Sequence, residues 1–210
     1  MVKKYVIWVT LIMLFFGIAV ISNGKVDETK LKKDYYELIV TVSELFKDHS
    51  QAGEQYYNRS FQTESEIADL LDGKVTEKGL HLIVDTLFEE YDNLIVYKQP
   101  FQEYLNDTLD FTLTPTRDKY YSTVRDSILN PALKLIPFDV FEIEQQENKI
   151  FVEAEKIEVT FYEEGERQFQ HHQYARYGYP PSDYISIYLT FVQNNGEYLL
   201  EEFNVTSHGM

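Results

Sequence analysis

Three runs near the C-terminus decide the fold: IFVEAEKIEVTFY at residues 150–162, YISIYLTFV at 184–192 and YLLEEFNV at 198–205. Successive side chains of a strand point to opposite faces, so alternation of apolar and polar residues is typical of a half-buried strand. In the middle run the apolar face is formed by Ile185, Ile187, Leu189 and Phe191. The runs are separated by turn-forming sequences, namely Glu164-Gly165, Pro180-Pro181 and Asn194-Asn195-Gly196. We therefore predict an antiparallel sheet whose strands are joined by hairpins.

The first of these runs changes phase in its middle. Its apolar residues occupy one parity at Val152 and Ala154, and the other parity from Ile157 to Phe161. One extra residue near Glu155 would return both sets to the same face, which is what a β-bulge does. Because bulges bend the strand that carries them, the pattern predicts a curved sheet.

The first half of the chain has a helical period. Apolar residues recur every three or four positions from Leu31 to Phe46, which is typical of an amphipathic helix. The sequence Thr63-Glu64-Ser65-Glu66 fits a capping box, so a short helix is predicted from there to Leu71. Thr76 fits the N-cap of a third helix, whose apolar stripe extends from residue 80 to residue 91. Together with the sheet, these helices predict an α+β fold.

The order of these elements resembles the NTF2-like (cystatin-like) α+β superfamily, in which a curved antiparallel sheet wraps an N-terminal helix into a cone. The segment from Asn194 to Phe203, a tight turn before an aromatic strand, is similar to the final hairpin of that family. The resemblance covers residues 31–206 and implies N-terminal helices packed on a curved sheet. Since the family includes enzymes and non-enzymatic binding modules, the resemblance does not choose a function.

The N-terminal sequence predicts export. MVKK precedes an unbroken apolar run from Tyr5 to Ile21, and Ser22-Asn23-Gly24 follows it. The two lysines are expected to keep this end in the cytoplasm, with the rest of the chain on the far side. The run is short for a hydrocarbon core of about 30 Å. Residues 1–24 are therefore either a cleaved signal peptide of a secreted protein or an N-terminal anchor that holds it in the cell membrane through residues 5–21.

Composition narrows the class of protein. Residues 25–210 are expected to form a single extracytoplasmic α+β domain. The chain has 35 acidic and 19 basic residues, a net charge of −16, which repels nucleic acid. It has no cysteine, which excludes a lipoprotein, a disulfide or a thiolate metal site. An exported domain without disulfides is typical of bacteria that lack an oxidising periplasm.

The side chains best suited to binding cluster in HHQYARYGYPP, residues 171–181, between two predicted strands. Tyrosine and arginine combine a large contact area with hydrogen-bonding groups and are enriched at binding hot spots. The candidate ligand-binding residues are His171, His172, Tyr174, Arg176, Tyr177 and Tyr179. The alternative is that this segment is a long hairpin tip or a contact between subunits.

Adjacent tyrosines elsewhere, such as Tyr35-Tyr36 and Tyr120-Tyr121, make a separate prediction. Neighbours in a helix face about 100° apart. We therefore expect one tyrosine of each pair to be buried and the other to lie nearer the surface.

The sequence predicts neither a metal site, nor a cofactor, nor a catalytic site. His171 and His172 are adjacent, so on a strand they would point to opposite faces, and nothing in the spacing requires His208 as a third ligand. Established catalytic and nucleotide-binding motifs are absent from the sequence. An isomerase-like enzyme would need an Asp base and a Tyr donor facing the interior of a cone. The side chains available for that pair include Asp139, Asp183, Tyr184 and Tyr188.

We therefore predict a non-enzymatic extracytoplasmic binding domain of a bacterial envelope or secreted protein. Its partner would be a protein, a peptide or a cell-wall component held by an aromatic surface. The alternative is a small-molecule-binding or isomerase-like enzyme that uses an NTF2-like pocket. A deep pocket containing an Asp or His would favour the enzyme, whereas a filled core with an aromatic exterior would favour the binding domain.

Overall fold

The computed structural model describes residues 25–109, 118–163 and 174–209. The helices come first and are α1 (Glu28–Val42), α2 (Glu64–Leu71), α3 (Glu77–Leu87), α4 (Gln99–Leu109) and α5 (Tyr120–Val124). Two small hairpins pair β1 (His49–Ala52) with β2 (Gln55–Asn58) and β3 (Phe88–Tyr91) with β4 (Leu94–Tyr97). The main sheet consists of β5 (Glu142–Gln146), β6 (Lys149–Thr160), β7 (Ser182–Asn194) and β8 (Glu197–Ser207). Helices followed by an antiparallel sheet confirm the predicted α+β class.

The main sheet has the order β5-β6-β7-β8, and each strand is antiparallel to its neighbour. The alternation predicted for the middle run is confirmed on β7. Its apolar face is at most 2 % exposed at Ile185, Ile187, Leu189 and Phe191. On the opposite face, Tyr184 and Tyr188 are exposed. One face of the sheet therefore belongs to the core.

The bulge predicted near Glu155 is confirmed. The pairing of β6 with β7 shifts register between Ala154 and Ile157. Lys156 adopts a φ of 50°, and its backbone N–H donates to Ser186 Oγ at 3.1 Å. Because the bulge adds one residue to the strand, the apolar side chains before and after it point to the same face of the sheet. Both sets therefore reach the same core.

A second bulge, on β8, is not apparent in the sequence pattern. Thr190 and Phe191 are adjacent on β7, but their partners on β8, Glu202 and Leu200, are two positions apart. The backbone of Leu200 also bonds to residues 74–76, accepting from one N–H and donating to one carbonyl, both at 2.9 Å. This bulge therefore ties the sheet to the segment that precedes α3.

The predicted helix starts are confirmed. In α2, Thr63 Oγ1 accepts from the N–H of Glu66, while the Glu66 carboxylate accepts from the N–H of Thr63, which is a complete capping box. In α3, Thr76 Oγ1 accepts from the N–H of Gly79 at 3.1 Å. Each cap satisfies donors that the first turn of a helix leaves without partners.

The predicted extent of the third helix is wrong. The helix ends at Leu87, and the next four residues form β3. Asp92 and Asn93 both have positive φ, 47° and 66°, in the tight turn between β3 and β4. Asn and Asp tolerate this conformation better than other residues with side chains, so the turn can reverse the chain into a hairpin.

The core lies between the helices and the inner face of the main sheet, and α1 and α3 both pack against β8. Tyr35 of α1 is fully buried, and its hydroxyl donates to the Leu133 carbonyl at 2.7 Å. Its neighbour Tyr36 is only partly buried, as expected for adjacent helical tyrosines. The interior is therefore closed by large aromatic side chains.

The predictions of a transmembrane helix and of single-pass membrane localisation are wrong for the part of the chain that the structure describes. None of the helices in residues 25–109, 118–163 and 174–209 combines the length and the apolar character needed to cross a bilayer. The apolar run at residues 5–21, on which the anchor and the membrane contact were predicted, lies outside the described residues.

Candidate functional site: a tyrosine cleft beside a buried carboxylate

Four tyrosines line a cleft of about 380 Å³ on the surface of the domain. We call it the tyrosine cleft, and its described lining consists of Tyr120, Tyr174, Tyr177 and Tyr179. Its volume falls near the lower end of the range of about 300–1,000 Å³ found for small-molecule sites. The described lining is entirely aromatic, so it offers ring faces, ring edges and phenol groups.

The cleft is assembled from two segments that are far apart in the sequence. Tyr120 is the first residue of α5, while the other three come from the connection that leads into β7. In that connection a short 3₁₀ helix, Ala175–Tyr177, is ended by Gly178 in the left-handed conformation with a φ of 74°. The turn places Tyr177 on one side of the cleft and returns the chain to Tyr179.

The rings are arranged as a floor with walls. Tyr179 is 8 % exposed and forms the floor, whereas the other three lining tyrosines are partly buried. The ring centroid of Tyr179 lies 5.1 Å from that of Tyr174 and 6.2 Å from that of Tyr120. The Tyr177 ring meets Tyr120 edge to face at 5.8 Å. These separations are typical of favourable aromatic pairs, so the rings hold one another in place.

Burial raises the pKa of two phenols of the cleft, those of Tyr120 and Tyr179. Burial is the main cause that raises the pKa of Tyr120 to about 12, with smaller contributions from Tyr104 and Tyr177. Burial also raises the pKa of Tyr179, and the neighbouring tyrosines add to the effect. At physiological pH both rings therefore carry no phenolate charge.

Tyr121 connects the cleft to a buried carboxylate. The Tyr121 ring lies 4.8 Å from that of Tyr179, and its hydroxyl donates to Asp183 Oδ2 at 2.5 Å. Ser207 Oγ donates to the same oxygen. Asp183 is 0 % exposed, and its Oδ1 has no hydrogen-bond partner among the described residues. Burial, and then the bond to Asp183, raise the pKa of Tyr121.

A carboxylate and a phenol in contact form an acid–base pair, the kind of unit that an isomerase-like mechanism would need. Asp183 nevertheless does not belong to the described lining of the cleft. Tyr121, which is 3 % exposed, and Tyr179 lie between the carboxylate and the cleft. As the domain stands, a ligand in the cleft meets aromatic rings rather than this pair.

Three of the six predicted binding residues, Tyr174, Tyr177 and Tyr179, lie together in the cleft. Arg176 lies in the same turn, but it is exposed and does not belong to the lining. His171 and His172 lie outside the described residues. Whether any of the six binds a ligand stays a prediction.

The structure adds Tyr120, which sequence reasoning did not assign to the site. The signal that could have found it is the pair Tyr120-Tyr121, of which one ring was expected near the surface. Tyr121 is 3 % exposed and Tyr120 is the more accessible of the two, which confirms that expectation. No pattern in the sequence places this pair beside residues 174–179.

A larger hollow, of about 520 Å³, is bounded by α2, α3 and the β3–β4 hairpin. Its charged lining consists of the carboxylates of Glu64, Asp85, Glu89 and Glu90, all of them exposed. Within the described part of the chain, no three His, Asp or Glu side chains converge in the way a metal ion requires. We therefore treat the tyrosine cleft as the candidate site.

Comparisons with known proteins add no relative: no protein-family model matches this chain, and neither a curated protein nor a solved structure matches it. The function of the protein is therefore inferred from the geometry and chemistry of the tyrosine cleft.

Proposed function

We propose that the protein is a non-enzymatic binding domain that acts outside the cytoplasm and holds its ligand in the tyrosine cleft. The observation that carries the proposal is the convergence of four tyrosines from two distant segments on one cleft. The described lining contains no carboxylate, imidazole or ammonium group that would act as an acid, a base or a nucleophile. Such a lining binds through contact area and ring electrostatics.

The surroundings of the cleft support binding without chemistry. The acid–base pair of Tyr121 and Asp183 is covered by aromatic rings. The interior beneath the sheet is filled with buried side chains. These two features fit the filled core and aromatic exterior that distinguish a binding domain from a pocket enzyme.

The compartment and the partner classes of this proposal come from the sequence. Residues 1–24 have the charge and apolar pattern of an export signal, which supports a secreted protein. The net charge of −16 disfavours a nucleic-acid partner. The group that enters the cleft would belong to a protein, a peptide or a cell-wall component.

We further propose that the fold is an NTF2-like cone. Two bulges, on β6 and β8, supply the bending that a cone requires. The long N-terminal helix α1 packs against β8, the strand that ends the sheet. The order of helices and strands from residue 31 onward also agrees with that architecture.

The experiment is a ring-selective NMR titration of the full chain with three probes of different chemistry: an N-acetylglucosamine trisaccharide, a short neutral peptide and choline. At least one probe should shift the ring signals of the cleft tyrosines and be recovered unchanged. Tyr177→Leu should weaken the binding that these shifts report, whereas the same exchange at Tyr91, an exposed tyrosine of β3, should not. Binding of equal strength in Tyr177→Leu and the wild type, or no shift with any probe, would overturn the proposal.

A second candidate function, an isomerase-like enzyme, is favoured by the Oδ1 atom of Asp183, which is buried and has no hydrogen-bond partner in the part of the chain that the structure describes. A buried polar atom without a partner is rare and is often found where function requires it. This enzyme would chemically convert a bound probe, and Asp183→Asn would stop the conversion without preventing binding. Recovery of every bound probe unchanged would count against it.

A further inference from the structure

From the chemistry of the tyrosine cleft we infer that the group it binds is a quaternary ammonium of the choline class. This inference rests on the proposed function and adds the ligand class. Quaternary ammonium groups are held by clusters of aromatic rings, because each ring face attracts a cation lying within about 6 Å of its centre. The cleft presents four tyrosine rings to one volume of about 380 Å³.

The shape of the cleft suits a compact cationic head. Tyr179 closes the bottom, and its ring centroid lies 5.1 Å from that of Tyr174 and 6.2 Å from that of Tyr120. The edge-to-face contact of Tyr177 with Tyr120, at 5.8 Å, places two wall rings at a steep angle to each other. Tyr120 stacks on Tyr179 at an interplanar angle of 26°, while Tyr174 is tilted from Tyr179 by 60°. Rings at such different angles suit a roughly spherical group better than a flat one.

The rings attract a cation as neutral aromatics. Burial raises the pKa of Tyr120 to about 12, so the attraction comes from the ring quadrupole and not from a phenolate. The wall tyrosines are partly buried, and Tyr179 is 8 % exposed, so these rings are partly desolvated before a ligand binds. Cation–π attraction is stronger when the partners are desolvated.

The functional groups of the lining favour a quaternary ammonium over a primary ammonium or an anion. A primary ammonium carries three N–H donors and is strongly hydrated, so it needs several acceptors to replace its water, and the only side-chain acceptors of the described lining are phenol oxygens. An anion needs a cationic or N–H donor, and the described lining contains neither a Lys nor an Arg. A quaternary ammonium has no N–H group, so it needs no hydrogen-bond acceptor and loses none when aromatic rings surround it.

Charges around the cleft also favour a cation. Three carboxylates, on Asp107, Asp118 and Glu103, surround Lys119, the residue before Tyr120, and raise its pKa. Lys119 pairs with Asp107 at 2.6 Å. Arg176, exposed beside Tyr177, is a basic group that would repel a bound cation. The whole chain, at −16, attracts cations at long range.

The first test is calorimetric titration of the full chain with choline chloride, with ethanolamine and with the neutral isostere of choline, in which a tert-butyl group replaces the trimethylammonium group. Choline should bind at least about 10-fold more tightly than either comparison compound. The neutral isostere lacks the positive charge, and ethanolamine carries N–H groups that need hydrogen bonds. Equal affinity for choline and its neutral isostere would overturn the inference, and so would tighter binding of ethanolamine.

Variants separate ring attraction from hydrogen bonding. Tyr177→Phe keeps the aromatic ring and should retain choline affinity within about 3-fold, whereas Tyr177→Leu should weaken it by about 3- to 30-fold. Tyr91→Leu, at an exposed tyrosine outside the cleft, is the matched control and should leave the affinity unchanged. A loss in Tyr177→Phe as large as that in Tyr177→Leu would contradict the inference.

Arg176→Gln tests the sign of the ligand charge. Because this exchange removes a nearby positive charge, it should strengthen choline binding, most clearly at low salt. Weaker binding in Arg176→Gln would overturn a cationic ligand.

The inference and the proposed function fail in different ways. If choline does not bind but the trisaccharide or the peptide shifts the cleft rings, the choline class is wrong and the binding function stands. If none of the three engages the cleft, both are wrong.

Discussion

The backbone carbonyl of Asp118 lies directly against Gly178, so that a Cβ atom at Gly178 would be only 1.5 Å from that oxygen. The contact joins the segment before α5 to the turn that carries Tyr177. Gly178 also has a φ of 74°, a conformation that side chains disfavour. This glycine therefore positions the two segments that form the tyrosine cleft.

Gly178→Ala should destabilise the domain and disrupt the cleft. The left-handed backbone alone costs about 1–2 kcal/mol for a residue with a Cβ. Displacement of the Asp118 backbone adds to this, so we expect a loss of about 3 kcal/mol in the free energy of unfolding, measured in urea. Gly196→Ala is the control, because Gly196 has a φ of 86° but no atom within 4 Å of the added Cβ. Equal losses in the two variants would contradict the contact.

Gly79→Ala should destabilise the domain even though it lies in a helix. By helix propensity alone, Ala is favoured over Gly by about 1 kcal/mol. In α3, however, a Cβ at Gly79 would lie 2.2 Å from the Leu200 carbonyl oxygen. We expect the clash to outweigh propensity and lower the unfolding midpoint in urea, whereas a raised midpoint would show that α3 does not approach β8 this closely.

Tyr121→Phe should cost about 1–3 kcal/mol of stability, because it removes a hydrogen bond to a buried carboxylate. Asp183 Oδ2 would keep only the hydroxyl of Ser207, and Oδ1 already has no described partner. Tyr184→Phe removes a hydroxyl from an exposed tyrosine next to Asp183 in sequence and is the control. Thermal unfolding of both variants measures the difference, and similar midpoints would argue against the bond.

His49 should make stability depend on pH below about 6.5, the ordinary pKa of histidine. Burial lowers the pKa of His49, and Asp48 opposes the shift. The His49 ring packs against Phe46 at 4.8 Å, and its Nδ1 lies 3.2 Å from the Tyr97 hydroxyl. Between its folded-state and unfolded-state pKa values the unfolded chain binds more protons, so stability falls as the pH falls.

His49→Gln should flatten that part of the stability curve, measured by urea unfolding at a series of pH values. The difference in the free energy of unfolding between the wild type and the variant, taken at each pH, separates the contribution of His49 from those of the carboxylates. The same exchange at exposed His81 controls for the loss of an imidazole elsewhere. An unchanged slope in His49→Gln would contradict the burial effect.

Features set by neighbours in sequence could be predicted. Alternation fixed which face of β7 is buried, and the phase change near Glu155 located a bulge. The capping box at Thr63 marked the start of α2. For the candidate site, proximity in sequence brought Tyr174, Tyr177 and Tyr179 together as candidates before their geometry was known.

Features set by contacts between distant segments could not be predicted from the sequence. The helical stripe continues past Leu87, yet the chain turns into a hairpin. Nothing local to β8 reveals the bulge that it carries, since this second bulge of the sheet lies where the segment before α3 bonds to Leu200. Tyr120 joins the cleft because the Asp118 backbone meets Gly178, a contact across about 60 residues of chain.

The sequence by itself determined the α+β class, the buried face of the sheet and the acidic, cysteine-free character of the chain. These follow from side-chain period, capping and composition, which act within one turn or one strand. Only the tertiary structure decided that four tyrosines share a cleft and that Asp183 is covered by Tyr121. Close packing of distant segments decides such contacts, because each depends on how the whole core is filled.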